Sequence, residues 1–485
     1  MQKEQGQKNK KEDNLGITVK KSEDFSEWFT QVVVKSELAD YSAVSGCMVL
    51  RPLGYELWEK IVKLTDERIK KLGVKNCYFP LFIPESLLQK EKEHVEGFSP
   101  EVAWVTHAGD TKLNERLAIR PTSEVIMYDS YSKWIRSWRD LPLKLNQWNN
   151  VVRWEFKHPT LLLRTREFWW NEGHTAFATL EEADEEIKQI MEIWREILND
   201  YLALFSVAGK KSEKEKFAGA LATYAHECFL NGRFAQGPDA HSDGQNFAKA
   251  YNIKFLDKEG AEEYVYQNTW AITTRMLGVL VGVHGDDKGL VLPPKMATNK
   301  VVIVPILFKD TKDKVLRKAK ELVHELSAFD ALLDKREEYS TGYKFNYWEL
   351  KGIPLRIEIG PKDIENSQVV VVRRDNFHKE VVKFIDLKRR INIILDEMQK
   401  EMHHKSKKLF EDGVVKVKTF KDFKDAIKNK KGVIAPFCNE PKCEDFIKDE
   451  SGGASSRVMI SEHSSEKCIK CGKSAKCIMY FGKSY

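Results

Sequence analysis

Apolar residues recur at helical spacing in two long stretches of the chain. Leu57, Trp58, Ile61, Leu64 and Leu72 mark the first, and Gly73 supplies its stop. Ile187, Ile190, Met191, Trp194, Ile197, Leu198, Tyr201 and Phe205 share one face of the second, predicted as a single amphipathic helix. Around them, short β-forming segments bounded by polar or turn residues predict strands over 45–50, 150–156 and 167–173. Pro293 and Pro294 close this region, because consecutive prolines neither continue a helix nor pair within a sheet. Beyond them the pattern predicts a strand over 301–308, a helix over 313–329, strands over 355–359 and 369–372, and a long amphipathic helix over 387–402. Such strand–helix alternation predicts a small, separate α/β domain. There is no internal repeat.

Length and composition narrow the class. A chain of 485 residues exceeds one core, and about 150 residues per domain suggests three. A hydrophobic share of 42% with 31% charged residues excludes a disordered or membrane protein, and no run approaches the roughly 18 apolar residues of a span. Residues 1–20 read as a flexible polar extension without the apolar core of a secretory signal, so a cytoplasmic address is expected. The net charge of +6 comes from 79 basic and 73 acidic residues, which permits a basic phosphate-tracking face without requiring one. Cys47, Cys77 and Cys228 are scattered, whereas Cys438, Cys443, Cys468, Cys471 and Cys477 crowd the tail. In a reducing compartment that crowding favours a metal over disulfides.

The chemistry-bearing segments begin with an absence. No G-x-x-x-x-G-K-[ST] loop is present, since Gly209-Lys210-Lys211-Ser212 lacks the upstream glycine, so any ATP must be held by side chains. Arg153-Trp154-Glu155, a polar turn with Lys157-His158-Pro159, and Leu163 to Phe168 predict an antiparallel hairpin. Arg153, Arg164 and Arg166 could converge there on one phosphate chain beside the flat face of Phe168, or simply pair with nearby carboxylates. Trp270 to Gly278 reads as a strand passing into a helix, with Arg275 near the junction.

Together these segments resemble the three signature motifs of class II aminoacyl-tRNA synthetases: Tyr41 to Pro52, the arginine–glutamate hairpin, and Thr273-Thr274-Arg275, in that order. Within the class, Arg120-Pro121-Thr122-Ser123-Glu124 is similar to the proline-binding loop of prolyl-tRNA synthetases. Trp170, Glu172 and His174 alternate along one strand and resemble that family's pocket wall. The resemblance runs from about Asp24 to the last residue. It implies an α/β (α+β) chain of four parts: the extension 1–20, an antiparallel-sheet catalytic domain 21–298, an α/β anticodon-binding domain 299–402 and a small zinc-binding α/β domain 403–485.

It further implies ATP contacts from Arg153, Glu155, Arg164, Thr165, Phe168, Gln236, Thr273 and Arg275, with Arg153 and Arg275 catalytic. Proline would meet Thr122, Glu124, Arg153, Trp170, Glu172, His174, Phe217 and His241. A carboxylate and a neutral acceptor suit a secondary ammonium, and apolar walls suit its ring. One stretch departs from the family pattern: Gln236-Gly237-Pro238-Asp239-Ala240-His241 carries Asp239 and Ala240 where hydroxyl residues are usual. Asp239 reads as a turn residue beside Pro238, with a contact to the Mg²⁺ of ATP as the alternative.

Trp348 to Asp363 is similar to the prolyl form of the anticodon module, and Glu349, Arg356 and Asp363 are assigned to anticodon guanines. In the tail, Cys438-x4-Cys443 and Cys468-x2-Cys471 can place four thiolates tetrahedrally around a structural Zn²⁺, with two disulfides as the alternative and Cys477 spare. The ending in Tyr485 matches the archaeal/eukaryotic-like form, in which the terminal carboxylate is expected near the active site. The implied activity is proline–tRNA ligation by a homodimer on tRNA(Pro). A non-catalytic tRNA-binding paralogue is the competing reading, which damaged arginines would have marked. The interval from Phe168 to Trp270 leaves no room for a cis-editing domain, so a trans-editing factor is expected as a partner.

Overall fold

The computed structural model describes residues 16–94, 101–155 and 158–485. Residues 1–15 of the expected extension, and Phe156 and Lys157 of the expected hairpin, lie outside the described residues. The chain forms two compact units. One comprises Ala39–His284, Pro293–Thr298 and Ile391–Tyr485; the other comprises the residues up to Leu38, Gly285–Leu292 and Asn299–Arg390.

The first unit is built on a seven-stranded sheet. Its strands are β1 (Lys75–Asn76), β2 (Leu143–Val152), β3 (Glu167–Phe177), β4 (Val207–Lys210), β5 (Ala222–Leu230), β6 (Arg233–Gly244) and β7 (Tyr266–Ala271). They lie in the order β1-β2-β3-β7-β6-β5-β4, antiparallel throughout except for β1 against β2. The expected strand over 150–156 instead begins at Leu143 and ends at Val152, and that over 167–173 continues to Phe177. At the centre, Gly173 is required by close packing: a Cβ there would overlap the Trp270 indole of the neighbouring strand.

Helix α1 (Glu124–Trp134) follows the proline-type loop and buries Val125, Met127, Tyr128 and Tyr131. Helix α2 (Leu180–Glu196) starts at Thr179, whose side chain accepts from the Glu182 N–H, and buries Ile187, Ile190, Ile193 and Trp194. Each such side chain contributes roughly 1.5–3 kcal/mol of burial free energy. The single helix predicted to reach Phe205 is corrected here: the last turn widens into a π-turn, Ile197–Tyr201, and Phe205 lies beyond it. Ile197 and Leu198 stay buried through it, on the face they share with Ile190 and Trp194. Helix α3 (Arg275–His284) follows β7 directly. The first-motif segment is a hairpin, Ala39–Tyr41 against Met48–Leu50, leading into a helix at Pro52–Lys71 with proline at its first position and Gly73 (φ +83°) past its end. The strand predicted over 45–50 is therefore shorter, with a turn before Met48.

The same unit holds the tail's sheet, β13 (Val414–Lys416), β14 (Gly432–Phe437), β15 (Ser455–Ser461) and β16 (Cys477–Gly482), in the order β13-β14-β16-β15. The preceding helix runs over Leu387–Gly413, well past the expected 402.

The second unit contains a five-stranded sheet of β8 (Val301–Pro305), β9 (Leu332–Leu333), β10 (Leu355–Ile359), β11 (Gln368–Arg373) and β12 (Lys379–Lys383), in the order β9-β8-β10-β11-β12. Its first three strands are parallel, and β8 is buried at every position, as a strand covered on both faces must be. The helix predicted over 313–329 divides into Lys312–Glu325 and a 3-10 turn, Ser327–Phe329, ended by Asp330 at φ 50°. No helix among the described residues is long and apolar enough to cross a membrane.

Candidate active site

Strand pairing assembles the site. His174 of β3 lies opposite Thr269 of β7, Thr269 opposite His241 of β6, and His241 opposite Thr223 of β5. All four line a cavity of ≈ 230 Å³ in the face of the sheet. The same cavity is lined by every residue assigned to proline: Thr122, Glu124, Arg153, Trp170, Glu172, His174, Phe217 and His241. A second cavity of ≈ 130 Å³ is lined by Arg153, Glu155, Thr165, Phe168, Gln236, Thr273 and Arg275, seven of the eight residues assigned to ATP. Arg153, Trp170, Gln236, Asp239 and Ala271 line both.

The floor of the larger cavity is acidic and ordered. The Glu172 carboxylate accepts from Ser123 N (2.8 Å), Ser123 Oγ (2.8 Å) and Asn149 Nδ2 (2.8 Å) and lies 3.3 Å from His174 Nε2. Burial opposes its charge, but the hydrogen bonds led by His174 outweigh that and hold its pKa below the usual carboxylate range. The Thr122 hydroxyl bonds to Glu124 and reaches Glu172. Behind them, burial and then the Glu124 charge push the Asp243 carboxyl well up, favouring its neutral form. On the apolar side Phe217 stacks on His241 at 4.7 Å between ring centroids. Burial lowers the His241 pKa, so its ring is neutral near pH 7 and Nδ1 meets the Thr223 hydroxyl at 2.9 Å.

Arg153 stands where the two cavities meet. Its Nε donates to Pro121 O (3.0 Å), and its guanidinium lies over Trp170 (5.2 Å) and Phe168 (5.6 Å). No carboxylate among the described residues forms an ion pair with it, so its charge is oriented without being neutralised. Arg275 donates from Nε to Leu163 O (3.1 Å), which places it at the rim of the smaller cavity.

Arg164, assigned to ATP, is exposed and lines neither cavity. Two expectations need correction. Arg166 does not converge with Arg153, because its Nη1 donates to Ser45 O (2.9 Å) and its guanidinium covers Trp154 (4.4 Å). Asp239 is no turn residue: it sits within β6, in the wall shared by both cavities, receives Gln236 Nε2 (2.7 Å) and lies 3.8 Å from His241 Nε2. Lys211, Glu215 and Thr223, which no motif marks, also line the larger cavity. Lys211 belongs to the very stretch set aside for lacking a phosphate loop, and only its register opposite Thr223, whose carbonyl accepts the Lys211 N–H, reveals it.

Elsewhere, Glu349 and Arg356 do come together: Arg356 Nη1 meets Glu349 (2.8 Å), and its Nε and Nη2 meet Glu358 (3.1 and 2.9 Å). Both line a small recess with Trp348 and Phe377. Asp363 does not join them, since its carboxylate accepts the Gly360 N–H (2.8 Å) as the cap of the helix Pro361–Glu365. In the tail, Cys438, Cys443, Cys468 and Cys471 bring four sulfurs within 4.8 Å of one another. The Cys443–Cys468 and Cys471–Cys438 separations, 3.8 and 3.7 Å, match the roughly 3.8 Å edge of a tetrahedron with Zn–S bonds near 2.3 Å and are far too long for disulfides. The residues present thus fit a tetrathiolate zinc site. Cys477 lies apart, its thiol facing Phe437 O. Tyr485 pairs through its backbone with Phe234 of β6, two residues before Gln236, which lines both cavities; Tyr485 itself lines neither.

Comparison with known proteins supplies the wider setting. The family model of the class II tRNA synthetase core domain (G, H, P, S and T) matches residues 104–284, an anticodon binding domain matches 300–392, and the prolyl-tRNA synthetase C-terminal model matches 420–485. The chain is 48% identical to the cytoplasmic proline–tRNA ligase of Arabidopsis thaliana, over 98% of this chain and 92% of that one. It is 50% identical to the proline–tRNA ligase of Lachnoclostridium phytofermentans, over 96% and 97%. Among solved structures, prolyl-tRNA synthetase from Cryptosporidium parvum, complexed with halofuginone and AMPPNP, superposes with a TM-score of 0.93 at 44% identity, covering 97% of this chain and all of that one.

Proposed function

The chain belongs to the prolyl-tRNA synthetases, ligases that activate L-proline with ATP and transfer it to tRNA(Pro), and from that premise we propose how its own residues divide the work. The observation that carries the assignment is Arg153, an oriented and unneutralised cation at the junction of two cavities with different linings.

Proline occupies the larger cavity. Its secondary ammonium meets Glu124 and Thr122 over the Glu172–His174 floor, and its ring meets Trp170 and Phe217 beside His241. Its carboxylate points to Arg153. ATP occupies the smaller cavity, with its adenine on Phe168, Glu155 beside it and its phosphates toward Arg153 and Arg275; Thr165, Gln236 and Thr273 complete the wall. The proline carboxylate then attacks the α-phosphorus, pyrophosphate leaves, and a terminal ribose hydroxyl of the tRNA attacks the prolyl carbonyl, releasing AMP. No protein nucleophile is needed. Positioning and fixed charge lower the barrier, as donors already aimed at developing charge require no reorganisation. Asp239, in the shared wall, would offer its carboxylate to a Mg²⁺ accompanying the phosphates.

The anticodon is read in the second unit, with Glu349 accepting from guanine and Arg356 holding it in place, and with Asp363 acting through its helix cap. The segments 21–298, 299–402 and 403–485 carry catalysis, anticodon reading and zinc binding. Cys438, Cys443, Cys468 and Cys471 would hold a Zn²⁺, which would stabilise the fold of the tail and, with four thiolates, leave no open position for chemistry. We assign the chain to the cytoplasm, as for the Arabidopsis relative, and to a homodimer, which the exposed Tyr41, Val44, Val49 and Tyr55 around the first motif support. A trans-editing factor completes the partners.

The test is amino-acid-dependent ATP–pyrophosphate exchange with proline, cysteine, alanine and threonine, without tRNA. Exchange with proline well above threonine is expected. No exchange from a folded, zinc-loaded protein would favour the non-catalytic paralogue.

A further inference from the structure

One wall of the larger cavity comes from a segment with no helix or strand of its own. Lys211, Glu215 and Phe217 all reach the cavity from it. Internally it is held by Ser212, whose hydroxyl accepts the Glu215 N–H (3.1 Å) and whose carbonyl accepts the Lys216 N–H (3.0 Å). At its far end the Phe217 N–H donates to Thr223 Oγ1 (2.8 Å) of β5, and three further anchors lie in the C-terminal module of the same unit. Ser212 Oγ donates to Glu444 Oε2 (2.8 Å), the Glu213 N–H donates to Asn439 Oδ1 (3.1 Å), and Lys214 pairs with Asp445.

Each acceptor is adjacent to a clustered thiol or one residue further on: Asn439 follows Cys438, and Glu444 and Asp445 follow Cys443. Glu444 is buried, and its second oxygen accepts from Ser456 N (3.0 Å) and Ser456 Oγ (2.6 Å), so its carboxylate is clamped between the two parts. The approach is close elsewhere too, for a Cβ on Gly209 would overlap the Met459 carbonyl. Lys211 is tied in the same way: its Nζ meets Glu227 (2.7 Å), and Arg457 holds that carboxylate at 2.8 and 3.0 Å.

A divalent ion bound by four thiolates fixes the positions of Cys438 and Cys443, and therefore of the residues beside them. We propose that the thiol cluster, loaded or stripped, sets proline affinity by positioning the segment 212–217 through Glu444 and Asn439, with Glu444 as the principal positioning residue. This rests on the reading that the larger cavity binds proline. It makes the tail a regulator of amino-acid recognition, and it predicts that loss of the ion is felt at the proline cavity before the ATP cavity, whose lining includes nothing from this segment.

The test uses the full chain. Glu444→Ala should raise the KM for proline about tenfold, within the range of typical coupling between sites, and leave the KM for ATP within about twofold. Equilibrium dialysis with labelled proline, without ATP, should show the same loss, and hydrogen exchange over 212–217 should accelerate. Stripping the metal from the unsubstituted protein should reproduce these changes, and Glu444→Ala should add little to the stripped protein. Ser212→Ala breaks the same clamp from the other side and serves if Glu444→Ala does not fold. An unchanged proline affinity in both variants, or effects of substitution and stripping that simply add, would overturn the coupling. Thr122→Ala, measured in parallel, separates the two readings: if it too leaves proline affinity unchanged, the cavity is misassigned and the proposal falls with it.

Discussion

Arg153→Lys isolates what the guanidinium supplies beyond charge. In the protein, one of its nitrogens is spent on Pro121 O, and two aromatic rings set its plane, leaving the terminal nitrogens toward both cavities. Lysine keeps the positive charge but loses the bond to Pro121 and the planar fork that can hold two oxygens at once. One charge-assisted hydrogen bond is worth about 1.5–3 kcal/mol. If the fork's second contact is made as the carboxylate attacks the α-phosphate, kcat/KM for pyrophosphate exchange should fall about tenfold to two-hundredfold. Arg153→Ala also removes the charge and should cost about a thousandfold. The two variants should melt within a few degrees of the parent, because no buried carboxylate depends on Arg153 for its charge balance. Exchange rates for Arg153→Lys within threefold of the parent, at matched folding, would refute the assignment of this arginine to the reacting groups.

Three other expectations follow from the same geometry. Glu172→Gln turns an acceptor-only group into one that must present an amide N–H₂ to existing donors at Ser123 N or Asn149 Nδ2, so proline KM should rise at least tenfold and stability fall by about 1–3 kcal/mol by denaturant titration; an unchanged KM would remove Glu172 from the pocket floor. Burial pushes the His226 pKa down to about 4, below its unfolded value near 6.5, so the unfolded chain binds the extra proton between those limits. Stability should thus be full above pH 6.5 and decline by about 3 kcal/mol as pH falls to 4, and His226→Gln should flatten that slope in unfolding curves at pH 7.5 and 5; an equal slope in the variant would be evidence of another titrating group. Cys468→Ser should lower bound zinc measured by mass spectrometry and reduce the melting temperature, whereas Cys47→Ser, outside the cluster, should leave the zinc content unchanged.

What the sequence revealed is what short-range spacing can encode. Trp170, Glu172 and His174 alternate on one strand, so their common face follows from the pleat alone, and the structure puts all three in one cavity. The paired cysteines likewise needed only a loop to bring them together. What stayed hidden depends on strand order. Lys211 and Thr223 enter the site because β5 lies beside both β4 and β6, and no local pattern announces that order. Arg166 looked equivalent to Arg153 in the hairpin, but Ser45, 121 positions earlier, captures it. Arg356, assigned to a guanine, carries Glu349 and Glu358 on its guanidinium, and its pairing with Glu349 is one that no local pattern announces. Asp239 was misplaced for a simpler reason: Pro238 suggests a turn, yet β6 carries that proline and continues to Gly244. A β-bulge between Ala225 and Glu227 lies opposite this stretch, and Pro238 has no partner in the register there, so its missing N–H costs the ladder nothing.

The division of the site into two cavities also bears on accuracy. In the proposed arrangement the reacting carboxylate and α-phosphate meet at the shared wall, so the chemistry is common to any amino acid that presents its carboxylate to Arg153. Selection must then come from the larger cavity alone. A space of ≈ 230 Å³ walled by Trp170 and Phe217 can exclude larger side chains sterically, but alanine and cysteine fit inside it. Against them the pocket has only lost ring contact to use, and each methylene is worth about 1–3 kcal/mol. The ammonium floor adds little, because primary and secondary ammonium groups both satisfy Glu124. Between Phe168 and Trp270 the chain is occupied by helix α2, its π-turn, a short helix, strands of the same sheet and a separate two-stranded hairpin, Lys254–Leu256 with Glu262–Tyr264. Cysteine-dependent pyrophosphate exchange should accordingly be readily measurable, within about a thousandfold of the proline rate, and discrimination much sharper than that would mean the pocket closes around the ring more tightly than its lining residues imply.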